Sequence, residues 1–130
     1  MSFERGFEIV IGAEGGYSND PQDPGGETMY GISKRAYPDL DIKNLTLQQA
    51  RDIYLRDYWR PAGCDSLADQ VMGILIFDCS VNQGVSKARQ LAAGARSAVE
   101  FQAERALHYA SLPTFARFGR GWMRRLFSVL

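Results

Sequence analysis

The chain has 130 residues, which is the size of a single domain with one hydrophobic core. Hydrophobic residues make up 45% of it and charged residues 23%, a balance that excludes a disordered or fibrous protein. Fifteen basic and fifteen acidic side chains leave no formal net charge, so the composition gives no sign of a nucleic-acid-binding protein.

The N-terminal segment predicts the first helix. Phe3, Phe7 and Val10 recur at helical spacing, and a pair of glycines ends the pattern, so we expect a helix over residues 2–14. The same segment lacks the basic region and the apolar stretch of a signal peptide, which predicts synthesis in the cytoplasm. Residues 15–44 are rich in Gly, Pro, Asn and Asp, which favours a loop or a short hairpin after this helix.

Two helices are predicted in the middle of the chain. Thr46 and Gln49 form a capping box that begins a helix ending at Arg60, before a proline. The helix over residues 66–82 is apolar nearly all round, which is typical of a central core helix. Its longest apolar stretch, residues 71–77, is too short to cross a bilayer, so we expect no stable membrane insertion.

The C-terminal part is also predicted to be helical. Residues 86–111 have helical spacing with a break at Gly94, and Pro113 opens a last helix. The fold class predicted from these elements is mainly α, a compact helical domain with a Gly/Pro-rich loop or short hairpin after the first helix.

Glu14 is the first candidate for a catalytic role. It lies at the C-terminal end of the first helix, on the face that continues Phe7 and Val10. The negative end of the helix dipole and a partly apolar setting both favour the protonated carboxyl, which a general acid requires. The alternative is a solvated, inert glutamate at a frayed helix end.

Asp23 and Thr28 follow Glu14 in the glycine-rich loop. A glycoside hydrolase needs two carboxyl groups across the scissile bond, one protonated and one ionised. Asp23 on a polar loop would stay ionised, and Thr28 would help to hold a water molecule. The alternative for Asp23 is a turn-forming residue, and Asp20 is its nearest competitor as the second carboxylate.

Two segments of the loop resemble a known family. Residues 14–21 (Glu-Gly-Gly-Tyr-Ser-Asn-Asp-Pro) and 23–33 (Asp-Pro-Gly-Gly-Glu-Thr-Met-Tyr-Gly-Ile-Ser) are similar to the signature of glycosyl hydrolase family 108, and residues 77–84 extend the resemblance. Its members are bacteriophage endolysins and prophage lysozymes. The resemblance implies cleavage of the β-1,4 bond between N-acetylmuramic acid and N-acetylglucosamine, with Glu14 as the catalytic acid. Asp23 and Thr28 are assigned by analogy with the Glu, Asp and Thr of classical phage lysozymes.

The resemblance also implies a domain organisation. We expect a lysozyme-like catalytic core over residues 1–85, with C-terminal helices over residues 86–130 packing on it in the same globular unit. Family members continue into a longer peptidoglycan-binding region, and this chain looks shortened after Gly84. An active phage or prophage endolysin is therefore the first hypothesis. The alternatives are a catalytically impaired peptidoglycan-binding or secretion-associated module and a purely partner-binding helical protein.

Four further residues are candidates for substrate binding. Tyr17 and Tyr30 offer aromatic faces suited to sugar rings, and Asp20 lies between them in the loop. Asn82 shares a helix face with Asp78, whose carboxylate needs partners if it is buried. Asp78 and Asn82 would either line the sugar cleft or anchor the glycine-rich loop by hydrogen bonds, and we favour the anchor.

The expected partners follow from the same interpretation. The substrate would be peptidoglycan glycan strands, reached outside the cytoplasm after holin-dependent release. We expect no nucleic acid, no cofactor and no metal, because His108 is the single histidine and the acidic loop lacks the EF-hand pattern. Four C-terminal arginines form a stripe that either attracts anionic wall polymers or is an ordinary solvated face, namely Arg117, Arg120, Arg124 and Arg125. The sequence leaves the oligomeric state open.

Overall fold

The computed structural model describes residues 2–22 and 25–129, apart from the side chains of Ser2, Ala13 and Glu14. In this part of the chain a two-stranded antiparallel hairpin and six α-helices form the fold, which confirms the mainly α prediction. The described helices include none with the length and hydrophobicity of a transmembrane segment. The elements are α1 (Ser2–Glu14), β1 (Thr28–Met29), β2 (Ile32–Ser33), α2 (Leu47–Tyr54), α3 (Gln70–Gln83), α4 (Val85–Ala93), α5 (Ala98–Ser111) and α6 (Phe115–Ser128).

Helix α1 has the predicted bounds. Phe3, Phe7 and Val10 are buried on one face, which fixes the helix against the core. The helix ends where Gly15 adopts a φ of 75°, a left-handed conformation that glycine adopts without steric cost. The Gly15 N–H donates to the Ile11 carbonyl at 3.1 Å and closes the last turn.

Helix α2 begins as predicted but ends differently. The capping box is present in full: the Thr46 hydroxyl accepts from the Gln49 N–H, and the Gln49 side chain accepts from the Thr46 N–H. The α-helix predicted to reach Arg60 instead widens into a π-helical turn over Leu55–Trp59. This turn places Trp59 in the core, where its indole N–H donates to Asp65 at 2.7 Å.

Helix α3 is the central helix but begins later than the predicted residue 66. Asp69 is its N-cap, and the Asp69 carboxylate accepts from the Met72 N–H at 3.1 Å. The chain before it forms a short 3-10 turn over Cys64–Ser66 and then an extended residue at Leu67. A side-chain cap that satisfies the first free N–H groups fixes the start more firmly than apolar spacing does.

The aromatic core is centred on Phe77 of α3. Its ring lies within about 6 Å of the rings of Phe3, Tyr54 and Trp59. Helix α1 approaches so closely that a Cβ atom at Gly6 would lie 2.9 Å from the Phe77 ring. A glycine at this position therefore lets α1 pack directly on α3.

Helices α4, α5 and α6 complete the fold. The predicted break at Gly94 is confirmed, because α4 ends at Ala93 and α5 begins at Ala98. Helices α5 and α6 are antiparallel neighbours: the Gln102 amide donates to the Leu126 carbonyl at 2.8 Å. The predicted division into residues 1–85 and 86–130 stays a prediction.

The two cysteines are structural. Both thiols are free and buried. Burial raises the pKa of Cys79 to about 11 and that of Cys64 to about 12. Both are therefore neutral at physiological pH and poor nucleophiles.

A buried ion-pair network joins α3 to α5 and α6. The two carboxylate oxygens of Asp78 accept from Arg105 at 2.7 Å and from Arg125 at 3.0 Å. Asp78 and Arg105 are almost completely inaccessible to solvent. The prediction that Asp78 anchors the glycine-rich loop is therefore wrong. Its partners are cations of the C-terminal helices, which compensate the cost of burying its charge.

Replacing Asp78 tests this network. We expect Asp78→Asn to lower the free energy of unfolding by about 3–5 kcal/mol, because it leaves buried guanidinium groups without their counter-charge. Urea denaturation followed by circular dichroism measures the change. The control is Glu8→Gln, which breaks the exposed Arg5–Glu8 pair and should cost less than about 1 kcal/mol. A loss for Asp78→Asn as small as that of the control would contradict the prediction.

Candidate active site

The loop after α1 folds back onto the hairpin. Ser18 and Thr28 form an antiparallel bridge, in which each N–H donates to the carbonyl of the other residue at 2.9 and 2.8 Å. Ser18 is four residues beyond Glu14, so the Cα atoms of Glu14 and Ser18 are at most about 14 Å apart. The bridge therefore limits how far the end of α1 lies from Thr28, while a shared catalytic role of Glu14 and Thr28 stays a prediction.

The hairpin has a tight turn at Tyr30 and Gly31. Their φ angles are 53° and 80°, the pair of positive values that a two-residue type I′ turn requires. Glycine adopts this conformation freely, but tyrosine does so at a steric cost. Backbone hydrogen bonds from Lys34 to Glu27 and from Arg35 to Gly25 continue the hairpin beyond its two strands.

Tyr54 of α2 holds the turn in place. Its hydroxyl donates to the Tyr30 carbonyl at 2.5 Å, and the Tyr54 side chain is buried against Phe7 and Phe77. The hydrogen bond satisfies a carbonyl at the strained turn and ties the hairpin tip to the hydrophobic core. Tyr30 itself is half-buried and packs against that core. Tyr54 was not among the residues predicted for the site.

Tyr17 lies on the exposed side of the loop and is joined to Glu27. The Tyr17 hydroxyl donates to the Glu27 carboxylate at 2.7 Å, and the Tyr17 side chain is 40% exposed. This hydrogen bond to a carboxylate raises the pKa of Tyr17 above its ordinary value, so the phenol remains a donor at neutral pH. Glu27 was not among the residues predicted for the site. Glu27 directly precedes the predicted site residue Thr28, and this position in the sequence was a signal that its side chain lies near the site.

The predicted catalytic residues are described to different extents. Glu14 is the last residue of α1, as predicted, but its side chain lies outside the described part of the structure. Asp23 also lies outside the described residues. Thr28 is half-buried in β1 and fixed by the bridge to Ser18. Asp20 is exposed and forms a local turn, in which its carboxylate accepts from the Gln22 N–H at 2.9 Å.

Asn82 is positioned by the C-terminal helices. Its side-chain amide donates to the Tyr109 hydroxyl, which also accepts from Arg105 at 3.2 Å. Arg105 in turn donates to Gln83 at 2.8 Å and to Asp78. The last turn of α3 is thus oriented by α5, and a role of Asn82 in substrate binding stays a prediction. The burial of Arg105 had a signal in the sequence, because Arg105 lies one helical turn from both Phe101 and Tyr109, which are buried residues of α5.

A second set of contacts supports residues 34–46, the segment between the hairpin and α2. Tyr37 donates to the Asp57 carboxylate at 2.7 Å, which links this segment to the π-helical turn. Arg56 binds the same carboxylate at 2.7 Å, and this hydrogen bond lowers the pKa of Asp57. Asp57 is therefore ionised at neutral pH and remains an acceptor for both partners. Ile42 and Leu45 are buried and fix the rest of the segment.

The described part of the chain offers no ready metal centre. Among these residues, no group of three or more His, Cys, Asp or Glu side chains is arranged to hold a metal ion. Two acidic side chains of the described part of the loop have other partners, since Asp20 accepts from the Gln22 N–H and Glu27 accepts from the Tyr17 hydroxyl. The described loop contains carboxylates at Asp20 and Glu27 and hydroxyls at Tyr17 and Thr28, which are groups that can take part in acid–base chemistry.

Comparisons with known proteins show the family and the fold of this chain. The family model described as Glycosyl hydrolase 108 matches residues 7–84, which is more than half of the chain and includes the second half of α1, the hairpin and α3. A solved structure of SagA from Brucella abortus is similar, with a TM-score of 0.81 and 27% sequence identity over 98% of this chain and 91% of that chain. The similarity therefore extends through the helices after residue 84. No curated protein matches the sequence.

Removing the Tyr54 hydroxyl tests its role at the hairpin. We expect Tyr54→Phe to lower the free energy of unfolding by about 1 kcal/mol and to speed amide exchange in the hairpin, because the Tyr30 carbonyl loses its donor. Hydrogen exchange followed by mass spectrometry measures both effects. The control is Tyr37→Phe, which removes a hydroxyl whose acceptor is Asp57 instead of the turn. Equal exchange in the hairpin of both variants would refute the role of Tyr54.

Proposed function

Because the chain belongs to glycosyl hydrolase family 108, a family of peptidoglycan hydrolases, we propose that it is a lysozyme that cleaves the β-1,4 bond between N-acetylmuramic acid and N-acetylglucosamine. The observation that carries this proposal is the match of the family model across the end of α1 and the hairpin. The bridge between Ser18 and Thr28 supports it, because it holds these two segments together.

Glu14 is the general acid in this proposal. It protonates the glycosidic oxygen as the bond to the leaving sugar breaks, and the proton then belongs to the new hydroxyl of the product. Its place at the C-terminal end of α1 supports the role, since the helix dipole there disfavours a negative charge. The glycine that follows turns the chain away and keeps this helix end free of a further helical turn.

Asp23 is proposed as the second carboxylate, with Asp20 as its competitor. An ionised carboxylate stabilises the positive charge that develops on the sugar or activates the attacking water. Thr28 would bind that water, and its fixed position in β1 supports this assignment. The separation of the two carboxyl groups decides between retention and inversion of configuration.

The sugar-binding residues proposed for this site are Tyr17, Asp20, Tyr30 and Asn82. Tyr17 has the most accessible aromatic ring of the loop, and its contact with Glu27 fixes the direction of that ring. Tyr30 is oriented by the turn and by Tyr54. Rings held in this way lose little conformational entropy when a sugar stacks on them.

A biological role follows from the location of the substrate. Peptidoglycan lies outside the cytoplasmic membrane, so an enzyme made in the cytoplasm has to be released before it acts. We therefore propose a phage or prophage endolysin that reaches the wall through a holin-like pore. Co-expression with and without a pore-forming partner tests this role, and lysis that is equally fast without the pore would contradict it.

Replacing the proposed acid is the central test. We expect Glu14→Gln to lower the release of reducing ends from purified peptidoglycan by about 100-fold or more, because the amide cannot donate the required proton. The control is Glu8→Gln, the same change at an exposed position of the same helix, which should keep full activity. Retained turnover in Glu14→Gln would overturn the assignment. Wild-type protein that binds insoluble peptidoglycan without releasing reducing ends would favour the binding module instead.

A matched pair of variants assigns the second carboxylate. We expect Asp23→Asn to lower the turnover number by about 100-fold or more, while Asp20→Asn changes it by less than about tenfold. Steady-state kinetics on a soluble glycan fragment separates the effect on kcat from that on KM. A large loss of kcat in Asp20→Asn with an active Asp23→Asn would transfer the role to Asp20.

A further inference from the structure

Helices α5 and α6 present an apolar surface to solvent on the side away from α3. Three of its side chains are more than half exposed: Val99 at 79%, Leu107 at 65% and Phe127 at 62%. Between the two helices lies a groove of about 250 Å³ with almost purely apolar walls. We call this surface the α5–α6 face, formed by Ala98, Val99, Gln102, Ala103, Ala106, Leu107 and Phe127.

The two edges of the α5–α6 face carry opposite charges. On the α5 edge lies Glu104, one helical turn from Leu107. On the α6 edge lie Arg120 and Arg124, within two turns of Phe127. These three charged side chains are exposed. An acidic edge and a basic edge on either side of an apolar surface make that surface complementary to itself.

The charged residues also lie at the same height along the helices. Gln102 of α5 donates to the Leu126 carbonyl of α6, so these two residues are level. Because the helices are antiparallel, two residues further along α5 correspond to two residues back along α6. Glu104 is therefore level with Arg124 across the width of the α5–α6 face.

We propose that the α5–α6 face binds a second copy of this chain. A two-fold axis parallel to the helices places α5 of one copy over α6 of the other and keeps the height of every residue. Glu104 of each copy then faces Arg124 of the other, and the apolar side chains meet between them. The result is an antiparallel four-helix arrangement, in which the charges select this two-fold axis over the one that would stack α5 on α5.

The size of the α5–α6 face sets the strength of this association. Helices of 14 residues are about 21 Å long, and two of them side by side are about 20 Å wide, so the face covers roughly 400 Å² per copy. The two copies together would bury about 800 Å², which is less than the roughly 1,000 Å² of a stable interface and is in the range of weak, transient contacts. The dimer is therefore reversible and its population rises with protein concentration.

Sedimentation equilibrium of the full chain over a range of concentrations tests the proposal. We expect the average mass to rise with concentration from 14.5 kDa towards twice that value. Glu104→Arg and Arg124→Glu should each weaken association by about tenfold or more, because like charges then face each other. The double variant with both changes restores the opposite pairing and should associate within about threefold of the wild type. Leu107→Glu should abolish the dimer.

The control is Glu8→Arg, an exposed charge reversal on α1 that should leave association unchanged. All the replaced side chains are exposed, so we expect every variant to fold, and thermal melts check this. A wild-type protein that stays at the monomer mass at the highest concentration overturns the proposal. A double variant that fails to recover association also overturns it, as does binding to anionic lipid vesicles by a protein that remains monomeric.

Discussion

The buried charge of Asp78 determines how the C-terminal half of this protein folds. It lies in α3, the helix on which α1, α4 and α5 pack, and a carboxylate there is stable only when cations reach it. Arg105 and Arg125 meet this requirement from two different helices. The orientation of α5 and α6 is thereby fixed, and the alanine-rich side of this helical hairpin is left at the surface.

The candidate active site depends on a different kind of constraint, the backbone pairing of a glycine-rich loop. Such a loop has a high conformational entropy when it is free, and few of its side chains are buried. The Ser18–Thr28 bridge and the hairpin give it a defined path, and Tyr17 with Glu27 closes it on the outer side. The groups of the site are therefore held by local hydrogen bonds, while the core supplies a rigid base.

Sequence patterns predicted the helices well where a local signal defined an end. The Thr46 capping box and the glycines after α1 are examples, because each acts within one helical turn. The late start of α3 had a local signal in the Asp69 N-cap, which apolar spacing alone does not reveal. The π-helical turn before Arg60 was not predictable from apolar spacing, since it depends on tertiary packing around Trp59. For the same reason the partners of Asp78 and the contact from Tyr54 to the hairpin were missed: their partners lie 24 to 47 residues away.

The contact between Tyr54 and Tyr30 has a consequence for how the sequence of such a protein can change. The phenol ring belongs to the aromatic cluster around Phe77, yet its oxygen reaches the turn beside the proposed sugar site. A substitution in the cluster that tilts this ring by a few degrees shifts the turn without altering any residue that faces the substrate. Interior positions remote from the reaction are thus open to selection for catalytic rate as well as for stability.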